Sequence, residues 1–222
     1  MIKKPDILIE KIAYYTGIIE QSLEKTLNEL ISNNFKLHNV SFGKIFRNEV
    51  TEISAEIKNL ALLKEIDENM GQGIINFNLP GKKKRVSGHN SLQMMSFTSC
   101  MDNIYRSTGL IRMNINEIYK RPHNKQALIP DLILTISTLF KRKLDLFFQK
   151  KDLEELTMTN EPPEEFNKIL NRCSDILSDL SHSISERNVE DNHGKNHSVY
   201  YGAIVSHLEI IVLNIFNIPE SL

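Results

Sequence analysis

Cysteine is scarce in this chain: Cys100 and Cys173 are the only two among 222 residues. They are too few for a disulfide framework and too far apart for a Cys-x-x-Cys metal pattern, and both read as buried thiols of a reducing compartment. An excess of either charge is lacking as well. Lys and Arg number 27 against 28 Asp and Glu, a formal net charge of −1. No global positive field therefore exists, and any nucleic-acid contact must use a local patch. Long apolar runs are missing too. The most apolar stretch, Gly202 to Ile218, is interrupted by His207, Glu209 and Asn214. No run reaches the ~18 uncharged residues of a spanning helix. Met1 to Glu10 carries Lys3, Lys4, Asp6 and Glu10 in place of an apolar leader core. These absences predict a cytoplasmic protein without a membrane segment. What is present, 41% hydrophobic and 25% charged residues, is ordinary for a globular chain. A chain of this length buries roughly 70% of its unfolded surface and needs no metal or disulfide staple.

Apolar residues recur at helical spacing almost throughout. Leu8, Ile12, Tyr15, Ile19, Leu23, Leu27 and Leu30 form one stripe, with Asp6 placed to cap it. Phe46, Val50, Ile53, Ile57, Leu60 and Leu63 form a second. The third, about Leu92 to Tyr119, carries Met95, Met101, Ile104, Ile111, Ile115 and Ile118, with Gly109 as its candidate kink or break. A fourth starts near Pro130, a first-turn residue, and buries Ile133, Ile136, Phe140, Leu144 and Phe147 while Lys141, Arg142 and Lys143 face outward. A fifth, capped by Thr159 or Asn160, uses Phe166, Ile169, Leu170, Cys173, Ile176, Leu177, Leu180 and Ile184. The last buries Val199, Ala203, Ile204, Leu208, Ile211, Val212, Ile215 and Phe216. Only Asn69 to Asn90 breaks the pattern, with four glycines and Pro80 around Ile74-Ile75-Asn76-Phe77. It reads as a loop, with a short β-hairpin over 70–90 turning at Pro80-Gly81 as the one strand signal. The predicted class is an all-α helical bundle.

Several motifs could carry chemistry. Gly71-Gln72-Gly73 is too short for a dinucleotide fingerprint, and no Gly-Lys-Ser/Thr follows it as a P-loop requires. Lys82, Lys83, Lys84 and Arg85 are four adjacent cations: either a solvated loop tip or a patch for phosphate backbone. Arg112, Lys120, Arg121 and Lys125 make a looser basic cluster with the same two readings. His193 and His197 have the i, i+4 spacing of zinc ligands, but Gly194 and Asn196 form turns and no Glu follows His193. No metal site is expected.

The sharpest signal is Arg187 through Gly194. Arg187 continues the fifth stripe, three residues after Ile184 and seven after Leu180. A cation extending a core stripe is costly to bury unpaired and calls for a partner or an anionic ligand. In a continuous helix Arg187 and His193 would stand about 9 Å apart along the axis and about 120° apart around it. The turn formers Asp191, Asn192 and Gly194 instead end the helix and let His193 fold back beside Arg187. The bland alternative is an Arg and a His that only cap helix ends.

Arg187-Asn188, a short polar interval, His193-Gly194 and then a closing amphipathic helix resemble the Arg-x4-6-His signature of HEPN ribonucleases. The likeness is greatest to the C-terminal domain of abortive-infection (Abi-type) proteins and covers about Asn124 to Phe216. Glu190-Asp191 stands where those proteins often carry a glycine. The resemblance implies a helical HEPN-like bundle over 91–222, and the apolar stripes place a helical pair and the Gly/Lys-rich loop before it, over 1–90. It further implies a metal-independent, cofactor-free endoribonuclease of phage-defence or toxin type, with Arg187, Asn188 and His193 as its catalytic set. Lys82, Lys83, Lys84 and Arg85 would then be RNA contacts, and a homodimer with an antitoxin or sensor protein the expected assembly. The alternative is a non-catalytic helical module that binds RNA or a protein.

Overall fold

The computed structural model describes residues 7–32, 48–63, 89–119, 130–149, 168, 171–179, 182 and 195–219. These residues are helical almost without exception and include no strand, as the uninterrupted 3.6-residue stripes predict. The helices are α1 (Ile7–Ser32), α2 (48–63), α3 (His89–Tyr119), α4 (Pro130–Gln149), α5 (171–179) and α6 (Lys195–Phe216). The 70–90 hairpin, the Asp6 cap and the start of the fifth stripe lie outside the described residues, except that His89 and Asn90 already belong to α3.

Side-chain pairings set the directions of the helices. Tyr15 meets Thr98 and Asp102, while Ser22 and Thr26 meet Arg112, so α1 and α3 run the same way. Phe147 stacks on Phe97, and Lys141 pairs with Glu24 at 3.0 Å, so α4 runs against both. Contacts between α1 and α3, α3 and α6, α6 and α4, and α4 and α1 close a ring of four helices. One apolar core fills it, from Ile12 and Ile19 on α1 through Phe97 and Ile104 on α3 to Phe140 on α4 and Leu208 on α6. Every α1 stripe residue is buried. Threonines enter this core at low cost because Thr26, Thr98 and Thr108 each donate to the carbonyl four residues back, at 2.6–2.9 Å.

Five residues depart from expectation. Lys143 does not face outward; it is 4% exposed, with Nζ 3.5 Å from the Ile218 carbonyl and 5.9 Å from the centre of the Phe216 ring. It sits at the C-terminal end of α6, where the helix dipole and unpaired carbonyls favour a cation. Val199 and Phe216 are not buried, at 60% and 38% exposure, and Leu63 is exposed as well. On α6 the difference has a physical cause. The helix is apolar on both sides, with Ile204, Leu208, Ile211 and Ile215 inward and Val199, Ile210, Leu213 and Phe216 outward, so periodicity cannot choose a face. The window Val199–Phe216, at mean hydropathy 1.6, is long and apolar enough to cross a membrane by length and composition, while its inner ridge joins the core.

Finally, Gly109 does not break α3, which runs on through it. A Cβ added there meets nothing within 4 Å. Gly109→Ala is therefore expected to stabilise the fold by about 1 kcal/mol through helix propensity alone. The thermal midpoint followed by circular dichroism should rise about 2–4 °C. A fall would mean that the α3 backbone needs its glycine.

Candidate functional site

Helix α5 and the helical residue 182 precede the Arg/His motif, and α6 begins at Lys195, two residues after His193. Arg187, Asn188 and His193 follow residue 182 and precede Lys195 in the sequence and lie outside the described residues, as do Lys82, Lys83, Lys84 and Arg85. Lys120, Arg121 and Lys125 lie outside them too. Arg112 is described, and its guanidinium is committed to α1. Its Nε donates to Thr26 Oγ1 at 2.7 Å and its Nη2 to the Ser22 carbonyl at 2.8 Å, tying α3 to α1. Burial lowers the pKa of this guanidinium, and the nearby Glu29 and Tyr105 partly offset the effect.

Three donors converge on the carboxylate of Asp102, on α3. Its Oδ1 accepts from the Tyr15 hydroxyl at 2.5 Å, and its Oδ2 accepts from Ser54 Oγ at 2.7 Å and Lys58 Nζ at 2.9 Å. Three helices thereby meet on one carboxylate. Burial, then the Asp102 charge and its hydrogen bond, push the Tyr15 phenol far above its ordinary pKa, so it acts as a donor and not as a base. Ser54 is only 3% exposed. A hydroxyl so enclosed, with its proton committed to a carboxylate, has no face open to a substrate. The cluster works as a clamp, and a catalytic role would need a cavity beside it.

No family profile, curated protein or solved structure matches this chain.

The partners of Asp102 are 44, 48 and 87 residues away along the chain, so no local motif could announce them. The one sequence signal is a carboxylate flanking the apolar stripe beside Met101. Other titratable groups read as packing. Cys100 and Cys173 are both buried, and burial raises their thiol pKa values, which keeps them protonated and unreactive. His207, on α6, buries Nδ1 without a hydrogen-bond partner, and burial lowers its pKa. Among the described residues no group of three or more His, Cys, Asp or Glu could hold a metal ion.

Proposed function

We propose that the chain is a metal-independent endoribonuclease of the HEPN type, acting as a phage-defence or toxin-type effector. One observation carries this reading: Arg187-Asn188 and His193-Gly194 stand at HEPN spacing, between an amphipathic helix and the closing helix α6. The all-helical architecture is compatible with it. The reaction is attack of a ribose 2′-OH on the adjacent phosphate, with expulsion of the 5′-oxygen and a 2′,3′-cyclic phosphate left behind. A proton acceptor near neutral pH is needed, and imidazole, with an unperturbed pKa of about 6.5, is suited to it. His193 takes that role. Charge building on the phosphorane needs a permanent cation, and the bidentate guanidinium fork of Arg187 supplies one. Asn188 hydrogen-bonds the phosphate or orients the histidine. Glu190 and Asp191 would repel a phosphate and are better placed to hold His193 or Arg187 before substrate arrives. Two such motifs brought together across a two-fold axis make a homodimer the proposed assembly, in the cytoplasm, with RNA as substrate.

The test is RNA cleavage in EDTA by the wild type and by Arg187→Ala. Cleavage that survives EDTA, is lost in Arg187→Ala and leaves cyclic phosphate ends supports the proposal. Activity abolished by EDTA would point to metal chemistry. Binding without cleavage would point to the non-catalytic RNA-binding module instead.

A further inference from the structure

Helix α2 is held to the rest of the protein differently from α1, α3, α4 and α6. Helices α1, α3, α4 and α6 close on one another in a ring, and α2 is not needed to complete it. Each ring helix contributes a long run of enclosed apolar residues; α1 alone buries Leu8, Ile12, Tyr15, Ile19, Leu23, Leu27 and Leu30. Helix α2 buries only Val50, Ile57 and Ala61 among its apolar residues, packs Ile53 and Leu60 partly, and leaves Leu62 and Leu63 exposed. Its polar side chains, by contrast, reach across to the ring. Glu56 pairs with Lys11, Glu49 accepts from Tyr14 at 3.1 Å, and Ser54 and Lys58 both donate to Asp102 Oδ2.

Hydrogen bonds and ion pairs to a charged, partly buried group are worth more than ordinary ones, and several converge on Asp102. Salt screens the exposed pairs, while apolar burial is insensitive to screening. We infer that α2 is a releasable clasp: the Asp102 lock holds it on the α1–α3 face, and it detaches as a unit while the four-helix ring stays folded. Release would uncover Asp102 and Tyr15 together with the apolar surface beneath Ile57, a face that is closed when α2 is docked. Local opening of one weakly buried element below the global unfolding free energy is a general property of folded chains. The lock concentrates the strongest of the polar ties that resist that opening on a single carboxylate.

Hydrogen exchange read by mass spectrometry tests this on the full chain, without reference to catalysis. In Asp102→Ala, amides of 48–63 are expected to exchange about 10–100-fold faster, the factor lost with hydrogen bonds to a charged group. Amides of α4 and α6 should be unchanged. Lys58→Ala, which removes only a half-exposed ion pair, should give a smaller acceleration confined to the same segment, as should 1 M NaCl on the wild type. These two arms give the answer even if Asp102→Ala fails to fold. Equal acceleration across all helices would show that α2 belongs to one cooperative core. Unchanged exchange in 48–63 under every condition would show that apolar contacts hold it. Either result overturns the proposal.

Discussion

Replacing His193 with alanine is expected to slow RNA cleavage about 10²–10⁴-fold while RNA affinity stays nearly unchanged. The size follows from its proposed role as the group that moves the proton, which acts on charge that develops only during reaction. Lys82, Lys83, Lys84 and Arg85 should behave oppositely. Neutralising them should weaken RNA binding across sequences and flatten its salt dependence, with single-turnover cleavage of bound RNA little altered. Arg187 should fall between the two, since it can meet phosphate in both the ground and the transition state. Single-turnover rates at saturating protein, set beside equilibrium binding at several salt concentrations, separate these outcomes. Should His193→Ala lose binding and keep the rate of cleavage at saturation, His193 is a recognition residue.

The second large effect concerns stability. Phe97 on α3 is fully enclosed, stacked on Phe147 with ring centres 3.9 Å apart and meeting Phe148 edge-on at 6.3 Å. This aromatic group joins α3 to α4 through the middle of the ring of helices. Phe97→Ala removes the ring's transfer free energy and leaves a cavity that the surrounding rings fill only in part. The expected cost is about 3–5 kcal/mol. Against a total stability of about 5–15 kcal/mol, that loss leaves the fold marginal. The chain has no tryptophan, so urea unfolding is best followed by circular dichroism at the helix band. A loss under about 1 kcal/mol would mean that Phe147 and Phe148 repack without strain, against the expectation for so tight a stack.

Much of the fold is legible in the order of the residues. The stripes of α1, α3 and α4 point to helices whose apolar faces are buried, and Pro130 marks the start of α4. Such stripes are legible because an amphipathic helix has one inward face and its residues return to that face every turn. Where both faces are apolar, as on α6, the pattern loses its direction, and Val199 and Phe216 face out against expectation. Lys143 departs from expectation for the opposite reason. A cation reads as surface from composition alone, yet the carbonyl end of α6 and the Phe216 ring give it a place inside.

The proposed catalytic set rests on the sequence alone, because an Arg, an Asn and a His within seven residues form a local pattern that the chain displays wherever it folds. The Asp102 lock is the reverse case. Its four members come from three helices, and nothing in their order along the chain relates Tyr15 to Ser54, Lys58 or Asp102. Sequence determined that helices form and, where polarity is one-sided, which way each turns. Tertiary structure alone decided which polar side chains meet, because a carboxylate selects its donors by proximity in space and only packing brings them within reach.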